Sequence, residues 1–483
     1  MGSEIGKKRK VGDDKEDKEA DREQELEQLC AWNAKLSTDY EKRGNVLRGV
    51  LVALAKLERI VARNALHQNA SRFGHYTRGS LGTTILEYWE EGKEYNDIIA
   101  QLEPIQLASE KVAEDQRKLL MQIQKLQSSS NFGKIETEKL EEYQNLVRDY
   151  SILQFHEASI KRDFAKIENQ KRLHEQEKNI YKQEAKRIQQ EDASPFRGFP
   201  EYHDRYVLLN LLGKGGFGEV YKAFDMEENK YVACKLQLLD PQISKNEQLK
   251  ASTLRHMKRE WDVHKTLVHP HIIRHLDNFT IDNDTYCTVL ELCNGKDLQF
   301  ALKTVHTFAE NEARVLISQI LHGLAYLDGR EGRIIHYDLK PANILLADGV
   351  VKISDFGLCK VMEVGSEALE LTSPGAGTIW YLPPECLVGG ANSQISTKVD
   401  VWSAGVVFYE LLFGRVPFGF GAGSRDTIRQ EIIDNALHFP TTPEVSLEAK
   451  AFIRECLTYE QALRPSAGTL VQNPYLTLSR PNV

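Results

Sequence analysis

The sequence predicts an α+β protein: an α-helical coiled-coil region followed by a bilobal domain, with an antiparallel β first lobe and a mainly helical second lobe. Three observations predict it. Apolar residues recur at alternating spacings of three and four from Leu26 onward, which makes a helix seam. Composition changes sharply at Pro195-Phe196-Arg197-Gly198. Before it the chain is rich in Glu, Lys and Gln, with Pro104 as its one proline; after it, β-branched and aromatic runs alternate with helical ones. Beyond that boundary a glycine-rich turn sits between two apolar strands, and an ordered set of Asp, Lys, Asn and Asp follows.

At 483 residues the chain has room for two or three domains. A hydrophobic content of 41% supports a real core, and a net charge of −8 is too mild for coating nucleic acid by electrostatics alone. No direct, sequence-specific binding of nucleic acid is expected. Cys30, Cys234, Cys287, Cys293, Cys359, Cys386 and Cys456 form no C-x-x-C pair. Reduced, mostly buried thiols in an intracellular protein are therefore expected. No apolar run is long enough for a membrane span, and the N-terminus lacks the apolar core of a secretory signal. Lys7-Lys8-Arg9-Lys10 reads either as a solvated charge run or as a nuclear import signal.

Residues 1–20 have the composition of a disordered, charged tail. Residues 21–192 form the coiled-coil, oligomerising region. Heptad positions 26, 33, 40, 47, 54 and 61 alternate with 29, 36, 43, 50, 57 and 64. Nine of these twelve are apolar: Leu26, Leu29, Leu36, Tyr40, Leu47, Val50, Leu54, Leu57 and Val61. Asn33 on the seam would set register or strand number. Gly44 and Gly49 each weaken the helix by about 1 kcal/mol, so it can break there. Residues 70–95 carry Gly74, Gly79, Gly82 and Gly92 among aromatics and read as a loop or small packed insert. A short helix is expected around 112–126, punctuated by Ser128-Ser129-Ser130-Asn131. The stripe resumes at Tyr143, Leu146, Tyr150, Leu153, Ile160, Phe164 and Ile167, interrupted by Glu157. Two interrupted stretches with charged flanks favour oligomerisation over a bundle packed on itself.

A linker at 193–204 leads to a domain at 205–478, with its first lobe at 205–293 and its second at 294–478. It opens on the strand 206–212. Gly213, Lys214, Gly215, Gly216, Phe217, Gly218 and Val220 then make the pattern G-x-G-x-x-G-x-V. Glycines let backbone N–H groups approach phosphates, and Val220 would cover a purine base. A Rossmann turn shares the glycines. Here, however, a strand follows them, and the Val232-Ala233-Cys234-Lys235 strand comes after it. This is the order of a protein-kinase fold. Lys235 is the candidate for holding the α and β phosphates of ATP, with Glu260 of Lys258-Arg259-Glu260-Trp261 as its carboxylate partner rather than the nearby Asp262. Leu290 would guard the back pocket, and the backbone of Glu291 and Cys293 would hydrogen-bond adenine. Ala233 and Leu345 complete the nucleotide-binding set.

The stretch Ile335-His336-Tyr337-Asp338-Leu339-Lys340-Pro341-Ala342-Asn343, followed by Asp355-Phe356-Gly357, carries the chemistry. Asp338 would orient the acceptor hydroxyl and Lys340 would neutralise the transferring phosphoryl group. Asn343 and Asp355 would give oxygen ligands to Mg²⁺. A lysine two residues after the aspartate is the serine/threonine pattern. Thr378 is expected to contact Asp338, Glu385 to pair with Arg464, and Asp400 to anchor the loop. Tyr337 stands where most such enzymes carry an arginine that binds an activation-segment phosphate, so dependence on one such phosphate should be weak. Ser366, Thr372 and Ser373 are candidate modification sites.

Several strings resemble the Tousled-like serine/threonine protein kinases. They are His336-Tyr337-Asp338-Leu339-Lys340-Pro341, the run Leu371–Thr378, Trp380-Tyr381-Leu382-Pro383-Pro384-Glu385-Cys386, Glu219–Asp225 and Cys287–Glu291. So do Arg72–Thr77 and Glu87–Gly92 within the insert. The resemblance implies a nuclear kinase that oligomerises through its coiled coils and autophosphorylates. It also implies a role in chromatin assembly, with the anti-silencing-function histone chaperone as a protein substrate. Gly218 departs from the family, which often has serine there, and the region before the coiled coil is short. The competing reading is a coiled-coil scaffold whose kinase fold mainly binds partners.

Overall fold

A charged, Ala- and Leu-containing run without proline builds α1 (Lys10–Phe73) in the computed structural model of the chain. The structure describes residues 10–81, 84–129, 137–216, 218–371, 377–387, 393–421, 425–434 and 437–477. Lys7, Lys8 and Arg9 of the basic cluster lie outside them. The helix thus begins within the segment expected to be disordered, because Lys, Glu and Ala propagate a helix once it is nucleated. It also runs unbroken through Gly44 and Gly49, since two penalties of about 1 kcal/mol are small beside the hydrogen bonds of its neighbours.

The glycine-rich insert is a hairpin. Strands β1 (Gly74–Leu81) and β2 (Thr84–Glu91) pair antiparallel, with Tyr76 opposite Trp89. Then come α2 (Lys93–Ser129), which runs through Pro104 and well beyond the short helix expected, and α3 (Thr137–Ala193). Trp89 packs edge-on to Tyr181 of α3 at 6.0 Å, pinning the hairpin. α2 and α3 lie antiparallel: Gln127 donates to Tyr143, and Gln116 donates to Glu157 at 2.9 Å. The polar interruption at Glu157 therefore has a partner inside the chain. The stripe from Tyr143 to Ile167 is half-buried there. Among the described residues of α1, Leu51 and Ala55 are buried against the domain behind, and Phe73 is buried at the helix end; the heptad positions Val50, Leu54, Leu57 and Val61 stay exposed. No helix among the described residues is long and apolar enough to cross a membrane.

The domain opens with β3 (Glu201–Tyr202), β4 (Tyr206–Gly215), β5 (Gly218–Asp225) and β6 (Lys230–Leu238). Helices α4 (Pro241–Ser244) and α5 (Glu247–His264) precede β7 (His275–Thr280) and β8 (Thr285–Glu291). The antiparallel sheet has the order β3-β4-β5-β6-β8-β7. Alternation along its strands buries Tyr206, Leu208, Tyr221, Cys234 and Val289 on one side.

The second lobe is mainly helical. It contains β9 (Lys296–Asp297), α6 (Leu298–Val305), α7 (Glu310–Asp328) and β10 (Ile334–Ile335). The strands β11 (Ile344–Ala347), β12 (Val350–Ile353), β13 (Lys360–Val361) and β14 (Leu369–Glu370) follow. After α8 (Pro384–Leu387) and β15 (Gln394–Ile395) comes α9 (Lys398–Phe413), buried along nearly its whole length against α7. A helix apolar on all sides belongs in a core, and Trp402, Phe408 and Leu411 fill it with Ile317, Ile320 and Leu321.

Candidate active site

Cross-strand register sets the roof of the cleft. Val220 lies opposite Lys235, and Ala233 lies opposite Leu290. With a side-chain period of two, all four share the sheet face turned away from Tyr221, Cys234 and Val289. Around Gly213, Gly215 and Gly216 a Cβ would meet nothing within 4 Å, so the loop leaves open space for a ligand. Gly218 is different: its φ is +125°, and a Cβ would lie 2.1 Å from the Leu236 carbonyl oxygen. Only glycine fits that turn. Phe217 lies outside the described residues. Lys214 reaches Glu219 at 2.8 Å.

At the hinge, the Glu291 amide donates to the Arg274 carbonyl at 2.9 Å, and its carboxylate accepts from Lys352 at 2.7 Å. Cys293 follows half-buried, and burial pushes its thiol up. Leu345 sits in β11 between Lys352 and Asp297 of the flanking strands.

Lys235 Nζ donates to Asp355 Oδ1 at 2.8 Å. Burial acts to raise the Asp355 pKa, but Lys235, by charge and hydrogen bond, together with His336 and Lys340 nearby, holds the carboxyl below the usual range. Glu260 projects from α5 toward the same turn. A Cβ on Gly357 would lie 3.5 Å from Asp355 Oδ1 and 3.7 Å from Glu260 Oε2. Burial raises the Glu260 pKa, the charge of Lys235 opposes this, and Asp355 adds to it. Asp262, the rival carboxylate, is exposed and lines a separate groove with Arg255 and Lys258. His264, one turn beyond Glu260, is buried with Nε2 2.8 Å from the Ile273 carbonyl and its ring 4.6 Å from that of Phe356.

The loop from His336 to Asn343 is held by α9. Both carboxylate oxygens of buried Asp400 accept backbone hydrogen bonds, from His336 at 2.7 Å and Tyr337 at 2.8 Å. This fixes Tyr337 at a φ of +70°, unusual for an aromatic residue. Its side chain is buried in an apolar cluster with Met362, Leu371, Leu382 and Cys386, and Lys360 Nζ lies 5.0 Å from its ring centroid. The place where an arginine would wait for a phosphate is thus filled by packing.

The next residues converge on one carboxylate. Asp338 Oδ2 accepts from Lys340 at 2.6 Å and from Asn343 at 3.0 Å, and its Oδ1 accepts from Thr378 at 3.1 Å. Lys340 also donates to the Thr378 hydroxyl at 2.9 Å. Arg464, fully buried, forms the expected double hydrogen bond to Glu385 at 2.8 and 3.1 Å. Ser366 donates to the Ala368 carbonyl at 2.6 Å, while Thr372 and Ser373 lie outside the described residues. Sequence reasoning passed over Glu219 and Lys352. Glu219 had a signal: it shares the period-two face of Tyr221 and Ala223, where an acid is out of place.

Comparison with known proteins agrees with this fold. A protein kinase domain model matches residues 206–476. The chain is 45% identical over 446 residues to the serine/threonine-protein kinase TOUSLED of Arabidopsis thaliana, covering 91% of this chain and 64% of that protein. It is 38% identical to serine/threonine-protein kinase tousled-like 1 of Homo sapiens, covering 92% and 62%. It is likewise 38% identical to tousled-like 2 of Xenopus tropicalis, covering 92% and 67%. The chain spans about two thirds or slightly less of the length of these relatives. On this similarity and the matched domain, the chain belongs to the protein kinase family and, within it, to the Tousled-like serine/threonine kinases.

Proposed function

We propose that the chain transfers the γ-phosphate of ATP to serine and threonine hydroxyls of proteins. The observation that carries this reading is the convergence of Lys340, Asn343 and Thr378 on Asp338, across the cleft from the Lys235–Asp355 pair. A substrate hydroxyl entering beside Thr378 would donate to Asp338 Oδ1. Lys340, shared between Asp338 and Thr378, would offset charge on the group in flight. Phosphoryl transfer needs little nucleophile activation, so positioning carries most of the effect. Lys235, backed by Glu260, would hold the α and β phosphates under the glycine-rich loop. Val220, Ala233, Leu290 and Leu345 would enclose the base, with the backbone of Glu291 and Cys293 as its hydrogen-bond partners.

Asn343 and Asp355 fit a Mg²⁺ site. The Asn343 amide nitrogen is spent on Asp338, which leaves its oxygen as a donor, and Asp355 is held ionised. Mg²⁺ takes one or two protein oxygens plus phosphates rather than a protein cage, and among the described residues no cluster of three or more His, Cys, Asp or Glu is present. When bound, the ion would neutralise phosphate charge.

The family resemblance extends the proposal to a nuclear, self-associating, autophosphorylating kinase that acts on a histone chaperone in chromatin assembly. The exposed positions Val50, Leu54, Leu57 and Val61 support association through α1. The test is transfer from labelled ATP, with Mg²⁺, to the protein itself and to a purified histone chaperone, beside Asp338→Asn and Asp355→Asn. Label on serine or threonine that vanishes in both variants is expected. No transfer by a folded wild-type chain would refute the reading. A monomeric mass by light scattering both for the full chain and after removal of residues 21–190 would refute self-association through the helices.

A further inference from the structure

The strand that leads into the glycine-rich loop is gripped from outside the kinase domain. The register of β4 against β5 slips twice, between Leu208 and Leu211 and between Leu211 and Gly213. Bulges take backbone groups out of the ladder and re-aim the chain beyond them. The helical region meets the strand at this place. Arg59 of α1 donates to the Leu209 carbonyl at 2.6 Å and to Asn210 Oδ1 at 2.9 Å. Arg187 of α3 donates to the Leu211 carbonyl at 2.8 Å, and Glu191 accepts from the Leu211 amide at 2.9 Å. The Glu191 side chain is 0% exposed and lies 3.2 Å from Arg59, 3.4 Å from Arg63 and 3.7 Å from Arg187. The Arg59 guanidinium also sits 4.0 Å from the centroid of the Phe199 ring.

The far stem of the loop is tied to the same helix end. Ser194, just past α3, donates to buried Glu219 at 2.5 Å, and Glu219 accepts from Lys214 of the loop itself. Tyr221 donates to Ser194 at 2.6 Å. Both strands flanking the loop are thereby fixed to one junction of α1 and α3. A buried carboxylate ringed by guanidinium groups tolerates the loss of none of them cheaply, so the junction holds a single arrangement.

We propose that Glu191, together with Arg59 and Arg187, positions the glycine-rich loop over the nucleotide phosphates, which makes the helical region part of the nucleotide-binding machinery. The proposal rests on the kinase reading above. These are positioning residues: they act through the backbone of Leu209 and Leu211. The test uses the full chain with Arg59→Ala, Arg59→Lys and Glu191→Gln. Initial rates are measured against ATP with dephosphorylated casein as acceptor, and amide hydrogen exchange is followed in parallel. In Arg59→Ala and Glu191→Gln the KM for ATP is expected to rise roughly tenfold with kcat within about threefold, the size of one lost charged hydrogen-bond set. Exchange should quicken in 208–221 and stay unchanged in 316–356, and Arg59→Lys should recover part of the KM. Wild-type KM and exchange in both variants would overturn the proposal. So would exchange quickened uniformly through the first lobe with kcat and KM changed together, the mark of a merely structural role. Absence of transfer by the wild-type chain would defeat the kinase reading instead, and the exchange comparison would still decide the loop claim.

Discussion

Asp400→Asn tests how the fold holds the candidate catalytic loop. Asp400 is 2% exposed and accepts the amides of His336 and Tyr337 on its two oxygens. Asparagine keeps the shape but has one acceptor oxygen. The loss of one charged hydrogen bond costs about 1.5–3 kcal/mol, and the amide facing its NH₂ group is left unsatisfied at a further cost of about 1–3 kcal/mol. Burial disfavours the Asp400 carboxylate and raises its pKa, so removing the charge gives part of this back. About 2–4 kcal/mol of net destabilisation is expected, measurable by urea unfolding. The positive φ of Tyr337 stores roughly 1–3 kcal/mol that the two bonds help to hold, so the backbone before Asp338 should relax. A shift of that kind should slow single-turnover transfer by roughly a hundredfold. ATP affinity should stay within about twofold, because Lys235 and the hinge sit on other elements. A transfer rate within threefold of wild type, at the expected loss of stability, would refute the argument. It would leave Asp400 as a core residue and nothing more.

The remaining predictions concern stability. His264 is pushed down to about 4 from an ordinary 6.5, chiefly by burial, with His275 nearby adding to the effect. The unfolded chain then binds the extra proton between those values, so stability should fall as pH drops from about 6.5 towards 4, by at most about 1.4 kcal/mol per pH unit. Urea midpoints across this window should flatten in His264→Gln. Arg464→Ala strips the bidentate partner from Glu385 and a donor from the carbonyls of Lys398 and Thr458, and should cost about 3–5 kcal/mol in the same assay. The Tyr337 hydroxyl has no nitrogen or oxygen partner among the described residues, so Tyr337→Phe should change stability by less than about 1 kcal/mol. Tyr337→Arg, beside Lys360, should cost about 3 kcal/mol or more; equal midpoints for the two would show that the pocket is not closed.

What the sequence made legible was local. The glycine-rich loop, Lys235 and the Asp338–Asn343 run are read from spacing along a few residues, although their partners in space, such as Asp355 for Lys235 and Thr378 for Asp338, lie far along the chain. Glu260 is preferred to Asp262 from its place in Lys258-Arg259-Glu260-Trp261, and Thr378, Asp400 and Glu385–Arg464 follow from the order of motifs. Two kinds of feature stayed hidden. The helix expected around 112–126 starts much earlier, at Lys93, and packing of Ile98 and Leu102 in α2 overrides the hydrogen bond lost at Pro104. The hairpin 74–91 reads in the sequence only as a loop or small packed insert, because its glycines and aromatics fit no simple period. The grip of Arg59 and Glu191 on β4 joins residues about 20 and 150 positions away, and no local pattern encodes such a contact. The heptad face of α1 pointed toward a partner helix, whereas the burial within this chain falls on the adjacent Leu51 and Ala55.

The packing of α1 on β4 has a consequence for how such a chain can change over generations. Ala55 is 2% exposed against Val207 and Leu209, with Leu51 and Phe224 beside it. There is no slack in such a contact, since an added methylene on either surface strains it. Segments that a domain match divides at residue 206 therefore drift as a pair: an enlargement at 51 or 55 calls for a reduction at 207, 209 or 224. A helix borrowed from another protein, equal in length and charge, would not be interchangeable with this one.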